Sequence, residues 1–486
     1  MSPGLARSGI RGAWLSGSST ILTSLIQAGK LVLLARLLSP DDFGISAMAM
    51  VVISCASLIA DLGIAGAVIQ KDDVPAAILS RLYGVGLLTG AGLFALLAAL
   101  SPLVAAVYRE PRVAPVLVGL AATFVFLPVG ALHQALAEKR MAFRRVAAIE
   151  VAAAAAGAIV AIAAAWRGAG VWALVADQVG AAAVKAALLS LQGRSFGRLR
   201  PRFSTQGLRP YLRFGAYSVG QRTANYATAN VDYALIGSLL GAHPLGLYRM
   251  GYELATLTGG RLNLVITRVF FPVLARFASD RERFRRAFLR MQETATLLGT
   301  PCVVGIGLVA PLAVPGLLGA KWAPAVPLLR ILCLVGLGRV IAGTIGPALL
   351  AAGRPDLGLR WSLALVSVQV PAIALAVHYG GLTAVAWTFA ALQTLYVLMN
   401  YRLLVRALFG PCLPDYLAAV APALAMSAAM AGAVAAVLAA TESLAWGGRL
   451  ALAVAAGAVT YLGLVFAFRR PLVEELAMLP QERPAP

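Results

Sequence analysis

The stretch LARLLSPDDFGISAMAMVVISCASLIADLG, residues 34–63, contains the end of one apolar run, a polar turn and most of a second apolar run. The turn is Ser39-Pro40-Asp41-Asp42, and the runs on either side extend over 14–37 and 43–68. A hydrocarbon core roughly 30 Å thick needs about 20 apolar residues of helix at about 1.5 Å rise each. Both runs meet that length, so the passage reads as one crossing, a short turn and a return.

The same unit recurs along the whole 486-residue chain. Apolar runs follow at 78–106, 113–136, 146–166, 170–191, 213–240, 245–275, 289–318, 322–352, 357–378, 381–407, 416–439 and 446–468, making fourteen with the first two. Hydrophobic residues make up 60% of the chain and charged residues 13%, against about 25% charge in a soluble domain. The expectation is an all-α integral membrane protein of about fourteen transmembrane helices.

Charge placement sets the orientation. Lys139, Arg140, Arg144 and Arg145 follow run four; Arg194, Arg198, Arg200, Arg202, Arg209 and Arg213 follow run six; Arg276, Arg281, Arg283, Arg285, Arg286 and Arg290 follow run eight, counting the run ends beside each loop. The alternate loops and adjoining run ends carry only Arg36, Arg109, Arg112, Arg167 and Lys321. The positive-inside rule then places both termini in the cytoplasm, which requires an even number of crossings. Trp166, Trp172, Trp322, Trp387 and Trp446 fall near the opposite ends, as an interfacial aromatic belt would. The net charge of +21 is thereby read as topology, with anionic lipid head groups as neighbours and no nucleic-acid partner. The first run follows Arg7 and Arg11 but is too long for a signal-peptide core, and is read as a retained crossing.

The chain also repeats. Leu37-Leu38-Ser-Pro-Asp-Asp-Phe-Gly44 aligns with Leu239-Leu240-Gly-Ala-His-Pro-Leu-Gly246 at an offset of 239 − 37 = 202. Six crossings separate the copies, so they share a topology and relate by an axis along the membrane normal. The expected organisation is a six-helix lobe over 1–191, a basic cytoplasmic linker over 192–212, a second six-helix lobe over 213–407, and two further helices with a cytoplasmic tail over 408–486.

Polar residues inside the runs carry the functional signal. Ser16, Thr20, Thr23, Gln27 and Lys30 share a face of run one, and Ser54, Ser57 and Asp61 share a face of run two. Run seven aligns Gln221, Asn225, Thr228 and Asp232 with Arg222 beside them; run eight offers Arg249, Glu253, Thr256, Gly260, Asn263 and Thr267. A charge at the bilayer centre costs about 2.5–3.5 kcal/mol on insertion scales, so such stripes face each other or water. The plainer reading is packing. Ser and Thr bond back to their own helix, Asp232 neutralises an Arg, and Glu253 pairs with Arg249 four residues away. Lys185, Arg330, Arg339 and Arg449 are weaker candidates, read as close enough to a run end to snorkel. Cations outnumber carboxylates inside the runs, which favours an anionic passenger; a drug-extruding cation antiporter would favour carboxylates. Guanidinium groups suit diphosphate through bidentate bonds.

Other motifs exclude more than they assign. Cys55, Cys302, Cys333 and Cys412 form no C-x-x-C pair, so a disulfide or metal site is not expected. His133, His243 and His378 stand apart. Gly86 and Gly90 read as a close helix contact. No nucleophile-base set, phosphate-binding loop or paired catalytic carboxylates occur, so the chain is read as a non-enzyme without a cofactor.

The run LARLLSPDDFGISAMAMVVISCASLIADLGIAGAVIQKDD (Leu34 to Asp73) resembles the opening of Wzx-type polysaccharide flippases, especially the WzxC-like branch. HQALAEKRMAFRRVAAIE (His133 to Glu150), GAKWAPAVPLLRILCLVGL (Gly319 to Leu337) and ALLAAGRPDLGLRWS (Ala348 to Ser362) are similar to later parts of that family. The resemblance implies the V-shaped two-lobed fold of the multidrug/oligosaccharidyl-lipid/polysaccharide (MOP, MATE-like) exporters, set in the bacterial inner membrane. It implies translocation of undecaprenyl-diphosphate-linked oligosaccharide for lipopolysaccharide, capsule or exopolysaccharide synthesis, with a polysaccharide polymerase and chain-length machinery as partners. On that reading Lys30, Arg222 and Arg249 attract the diphosphate, and Gln27, Gln221, Asn225 and Asn263 bond sugar hydroxyls. Asp61, Asp232 and Glu253 serve coupling or gating. The rivals are a MATE-like small-molecule/cation antiporter and a membrane polysaccharide polymerase or ligase; the lack of a large external loop argues against the last.

Overall fold

The computed structural model describes residues 22–60, 68, 74–140, 142–193, 200–204, 206, 208 and 230–468. The described residues are almost entirely helical. In chain order the principal helices are α1 (22–37), α2 (Pro40–Ala60), α3 (Ala76–Tyr108), α4 (Val113–Ala121), α5 (Thr123–Lys139), α6 (Phe143–Trp166) and α7 (Trp172–Gly193). They continue with α8 (230–240), α9 (Ala242–Arg276), α10 (Arg281–Ala313), α11 (Ala325–Ala342), α12 (Ile345–Ala351), α13 (Pro355–Asn400), α14 (Leu413–Ala440) and α15 (Trp446–Phe468).

Ten helical segments among the described residues are long and apolar enough to cross a bilayer. One of them, Asp356–Phe409, is 54 residues long, about twice what one crossing needs. It breaks at Gly381, whose φ of 64° is a backbone conformation that side-chain-bearing residues rarely adopt. The break falls at the turn expected between runs eleven and twelve.

The chain divides into two compact units, one from Met1–Arg249 with Ser362–Leu382, the other from Met250–Trp361 with Thr383–Pro486. Both are discontinuous in sequence, because they follow contact and not chain order. In the first unit, small residues set the helix spacing. α6 is Ala-rich, and alanine is the best helix former while leaving a smooth surface. A methyl group on Gly157 would lie 2.8 Å from the Asp177 carbonyl, so α6 and α7 meet nearly backbone to backbone. Of the basic stretch 192–212, the described part is laid along α3. The Arg202 N–H donates to the Ser80 carbonyl at 2.9 Å, Arg81 donates to the Gln206 carbonyl at 2.8 Å, and Leu208 is fully buried with Leu82 and Leu132.

In the second unit the last two helices are fastened to α10. Hydroxyls of Thr296 and Thr300 lie 3.2 and 3.4 Å from the carbonyls of Ala419 and Ala423 on α14. Thr300 and Ser427 share a hydrogen bond at 3.0 Å, and Tyr461 of α15 donates to the Leu297 carbonyl at 2.7 Å. Around this polar ladder Leu297, Ala423, Met426, Met430, Val434 and Ala453 pack as one apolar cluster. An aromatic stack of Phe284, Phe288, Phe409 and Tyr416 closes one end, with Phe288 and Phe409 centroids 4.7 Å apart.

Interhelical hydrogen bonds inside membranes are worth about 0.6 kcal/mol on average. A double-mutant cycle on Thr300→Val and Ser427→Ala, read by unfolding in detergent, should therefore give a coupling near ~0.6 kcal/mol. A coupling of zero would mean that the Thr300–Ser427 bond adds nothing to the seating of α14 on α10.

Candidate functional site

The turn at residues 37–44 and its copy at 239–246 adopt the same local structure. Each is a helix, a break and a second helix, with the breaks at Ser39 and Gly241, again 202 residues apart. In the first copy Ser39 caps α2. Its N–H and hydroxyl donate to the Asp42 carboxylate at 2.9 and 2.7 Å, and the Asp42 N–H donates back to its hydroxyl at 3.2 Å. This reciprocal cap, with Pro40 in the first helical position and two carboxylates on the positive end of the helix dipole, fixes where α2 begins.

The two copies are packed against each other within the first unit. A methyl group on Gly44 would lie 1.8 Å from the Ala242 carbonyl oxygen, and one on Gly246 would lie 1.9 Å from the Pro40 carbonyl oxygen. Adding 202 to Pro40 and Gly44 gives Ala242 and Gly246, so the repeat exchanges the two contacts. The Asp41 carboxylate meets His243 Nδ1 at 2.8 Å, and these two positions are also 202 apart. The arrangement is a two-fold clasp in which only glycine admits the facing carbonyl. Arg249, one turn further along α9, donates to the Phe43 carbonyl at 3.2 Å and to the Ser46 hydroxyl at 3.5 Å.

Beside the clasp lie two buried carboxylates. Asp232 on α8 is wholly buried and accepts from the Tyr248 hydroxyl at 2.9 Å. Asp177 on α7, a residue the polar stripes passed over, receives the Lys30 ammonium at 2.5 Å, with both side chains about nine-tenths buried. Of the residues expected at a site, Lys30, Arg249 and Asp232 are thus held by named protein groups. Gln27 is half-buried on α1 and Glu253 half-buried on α9. Asp61, Gln221, Arg222 and Asn225 lie outside the described residues; Asn263 lies on α9 with its side chain outside them. Packing explains part of the stripes: Ser57 and Thr256 donate to the carbonyls of Ser54 and Tyr252, each at 2.7 Å.

Sequence reasoning missed two buried polar residues, Gln292 and Gln393. Gln292 is fully buried on α10 and accepts from the Thr344 hydroxyl. Gln393 on α13 is buried against Gly338. Arg339 lies in the last turn of α11, with its guanidinium 5.0 Å from the centroid of the Tyr252 ring. Among the described residues no group of three His, Cys, Asp or Glu is placed to hold a metal ion.

Residues 33–327 match the model of a family described as polysaccharide biosynthesis protein. The chain is 30% identical to the teichuronic acid biosynthesis protein TuaB of Bacillus subtilis (strain 168), over 95% of this chain and 96% of that one. It is 29% identical to the lipopolysaccharide biosynthesis protein WzxC of Escherichia coli (strain K12), over 84% and 83% of the two chains. Among solved structures, its fold is similar to the lipid II flippase MurJ in an inward closed conformation, with a TM-score of 0.76 at 14% identity over 94% of this chain and 99% of that one. It is also similar to an inward-facing multidrug resistance MATE family transporter of the MOP superfamily, with a TM-score of 0.64 at 13% identity over 82% and 98%.

Two substitutions test this geometry. Gly44→Ala and Gly246→Ala should each destabilise the protein by about 1–3 kcal/mol through overpacking. The double variant should cost little more than either alone, since both break one clasp; full additivity in thermal unfolding would refute a shared contact. Lys30→Met should cost about 3–5 kcal/mol by leaving Asp177 buried and uncompensated, while Lys30→Met with Asp177→Leu should recover most of it. A single variant as stable as the parent would show the pair to be energetically idle.

Proposed function

The chain belongs to the polysaccharide biosynthesis protein family, and from that membership we propose that it is a flippase carrying undecaprenyl-diphosphate-linked oligosaccharide across the bacterial inner membrane. The observation that carries this reading is near full-length likeness to proteins named for two different polymers, teichuronic acid and lipopolysaccharide. What such pathways have in common is an amphiphile whose polar head must pass the bilayer while its tail stays in lipid. A helical membrane protein with charged groups held in its spans suits that cargo.

The finer assignment is ours. Fourteen crossings with both termini in the cytoplasm place the α1–α2 and α8–α9 turns at the external ends of their helices. The clasp then closes the external side, and alternating access requires it to part. Opening exposes two glycine faces and separates Asp41 from His243. Lys30 reaches a diphosphate by exchanging Asp177 for it, while Arg222 and Arg249 supply further positive charge. Gln27, Gln221, Asn225 and Asn263 offer hydrogen bonds to sugar hydroxyls. Asp61, Asp232 and Glu253 hold charge during the change of state. Polymerase and chain-length machinery act on the delivered glycan.

A deletion strain should accumulate lipid-bound glycan on the cytoplasmic leaflet and lose surface polymer, with drug susceptibility unchanged. Arg222→Ala and Asp232→Ala should block export at normal protein level. Loss of drug resistance with surface polymer intact would instead favour a small-molecule antiporter.

A further inference from the structure

Pro347 breaks the helical path that leads into it. It has no N–H for the carbonyl of Gly343 four residues earlier, and its ring crowds that carbonyl. The chain responds with an interruption: α11 ends at Ala342, Gly343 and Thr344 form a turn, and α12 starts at Ile345. The last carbonyls of α11 therefore have to find partners outside their own helix. Side chains from other helices of the second unit provide them. The Tyr416 hydroxyl of α14 donates to the Ile341 carbonyl at 3.4 Å, and the Asn400 amide nitrogen of α13 donates to the Ala342 carbonyl at 3.5 Å. From α10, Gln292 accepts from the Thr344 hydroxyl.

Each of the two carboxamides is only half used. Gln292 is fully buried, and its Nε2 has no hydrogen-bond partner among the described residues. Asn400 is 4% exposed, and its Oδ1 has none either. Phe288, one turn before Gln292, stacks on Phe409, which follows α13, with ring centroids 4.7 Å apart, so the two chain segments lie side by side. Both amides thus reach the same short stretch, Ala342–Thr344, from neighbouring segments. Met291, Ala295, Ile345, Leu404 and Val405 belong to one apolar cluster around them. The helix that carries Asn400 is itself irregular at this level, since a π turn over Tyr401–Val405 begins directly after it.

An unmet donor and an unmet acceptor at one helix break call for a ligand that both accepts and donates. An anion would confront the Asn400 oxygen and the freed carbonyls, and a bare cation would confront the Gln292 NH2 group. Water suits both, and a buried water making about three hydrogen bonds is the ordinary way for a fold to complete such groups. Water inserted at an interrupted helix ladder is also a known cause of bends. We propose that an ordered water molecule is bound at the α11–α12 break, accepting from Gln292 Nε2 and donating to Asn400 Oδ1, with the Gly343 carbonyl released by Pro347 as its third partner. It ties α10 and α13 to the place where α11 gives way to α12.

An experimental structure of the full chain, at a resolution that shows waters, should place one within about 3.2 Å of both Gln292 Nε2 and Asn400 Oδ1. Density beside only one of these atoms, or beside neither, overturns the assignment. Thermal unfolding of the full-length protein in detergent supplies a second arm. Gln292→Met and Asn400→Leu should each lower the unfolding temperature, because each leaves the opposite amide without its bridge. The double variant removes both unmet atoms together, so it should unfold no lower than the less stable single variant. Shifts that simply add would show two unrelated amides and count against a shared ligand. Exchanging sodium for choline should leave the unfolding temperature of the parent unchanged. A sodium-dependent rise that disappears in Asn400→Leu would assign the site to a cation and overturn the water.

Discussion

Hydrocarbon offers no partner to a charge, and the interior of this protein is arranged around that constraint. Lys30 is met by Asp177, Asp232 by the Tyr248 hydroxyl, and Arg249 by a carbonyl and a hydroxyl of α2. The first and last of these link helices distant in sequence and the second joins neighbouring helices, so each polar group that lipid would reject also fixes a tertiary contact. The polar ladder between α10 and α14 works alike without charge: threonine and serine hydroxyls satisfy carbonyls across the interface while methyl and aliphatic groups fill the rest. The last two helices thereby acquire a definite seat in the second unit.

Much of this was legible in the amino-acid order. Run lengths pointed to a many-spanned helical membrane protein, of which ten membrane-length helical segments lie among the described residues, and the eight-residue match at an offset of 202 marked two turns that share a local structure. Alignment could not reveal that the copies touch, because a sequence repeat gives equivalence and not proximity. The glycines at 44 and 246 held that information in another form: each is the residue that tolerates a carbonyl at its α-carbon. Asp177 counted in the sequence only as one of the few carboxylates inside the runs, since a single carboxylate in an apolar run forms no stripe. The basic stretch between the first and second groups looked like a free linker, yet its described part lies along α3, anchored by backbone atoms that composition does not register.

The family places the chemistry in context. An exporter of lipid-linked glycan has to bind a strongly anionic head without holding it, since cargo retained is cargo not delivered. Charges already compensated inside the protein, as Lys30 is by Asp177, suit this requirement, because a ligand that displaces such a partner gains only the difference between two pairings.

The Asp41–His243 contact lies at positions that the internal repeat makes equivalent. In a symmetric dimer of identical subunits those positions would carry the same residue, and an aspartate there would confront another aspartate. Fusion of both halves into one polypeptide after gene duplication lifts that restriction, letting one copy become histidine while the other keeps its carboxylate. The same freedom allows Ser39 to cap α2 while the equivalent position 241 is glycine. An attractive, ionisable pair at the centre of a two-fold contact is thus something a single chain can evolve and a homodimer cannot.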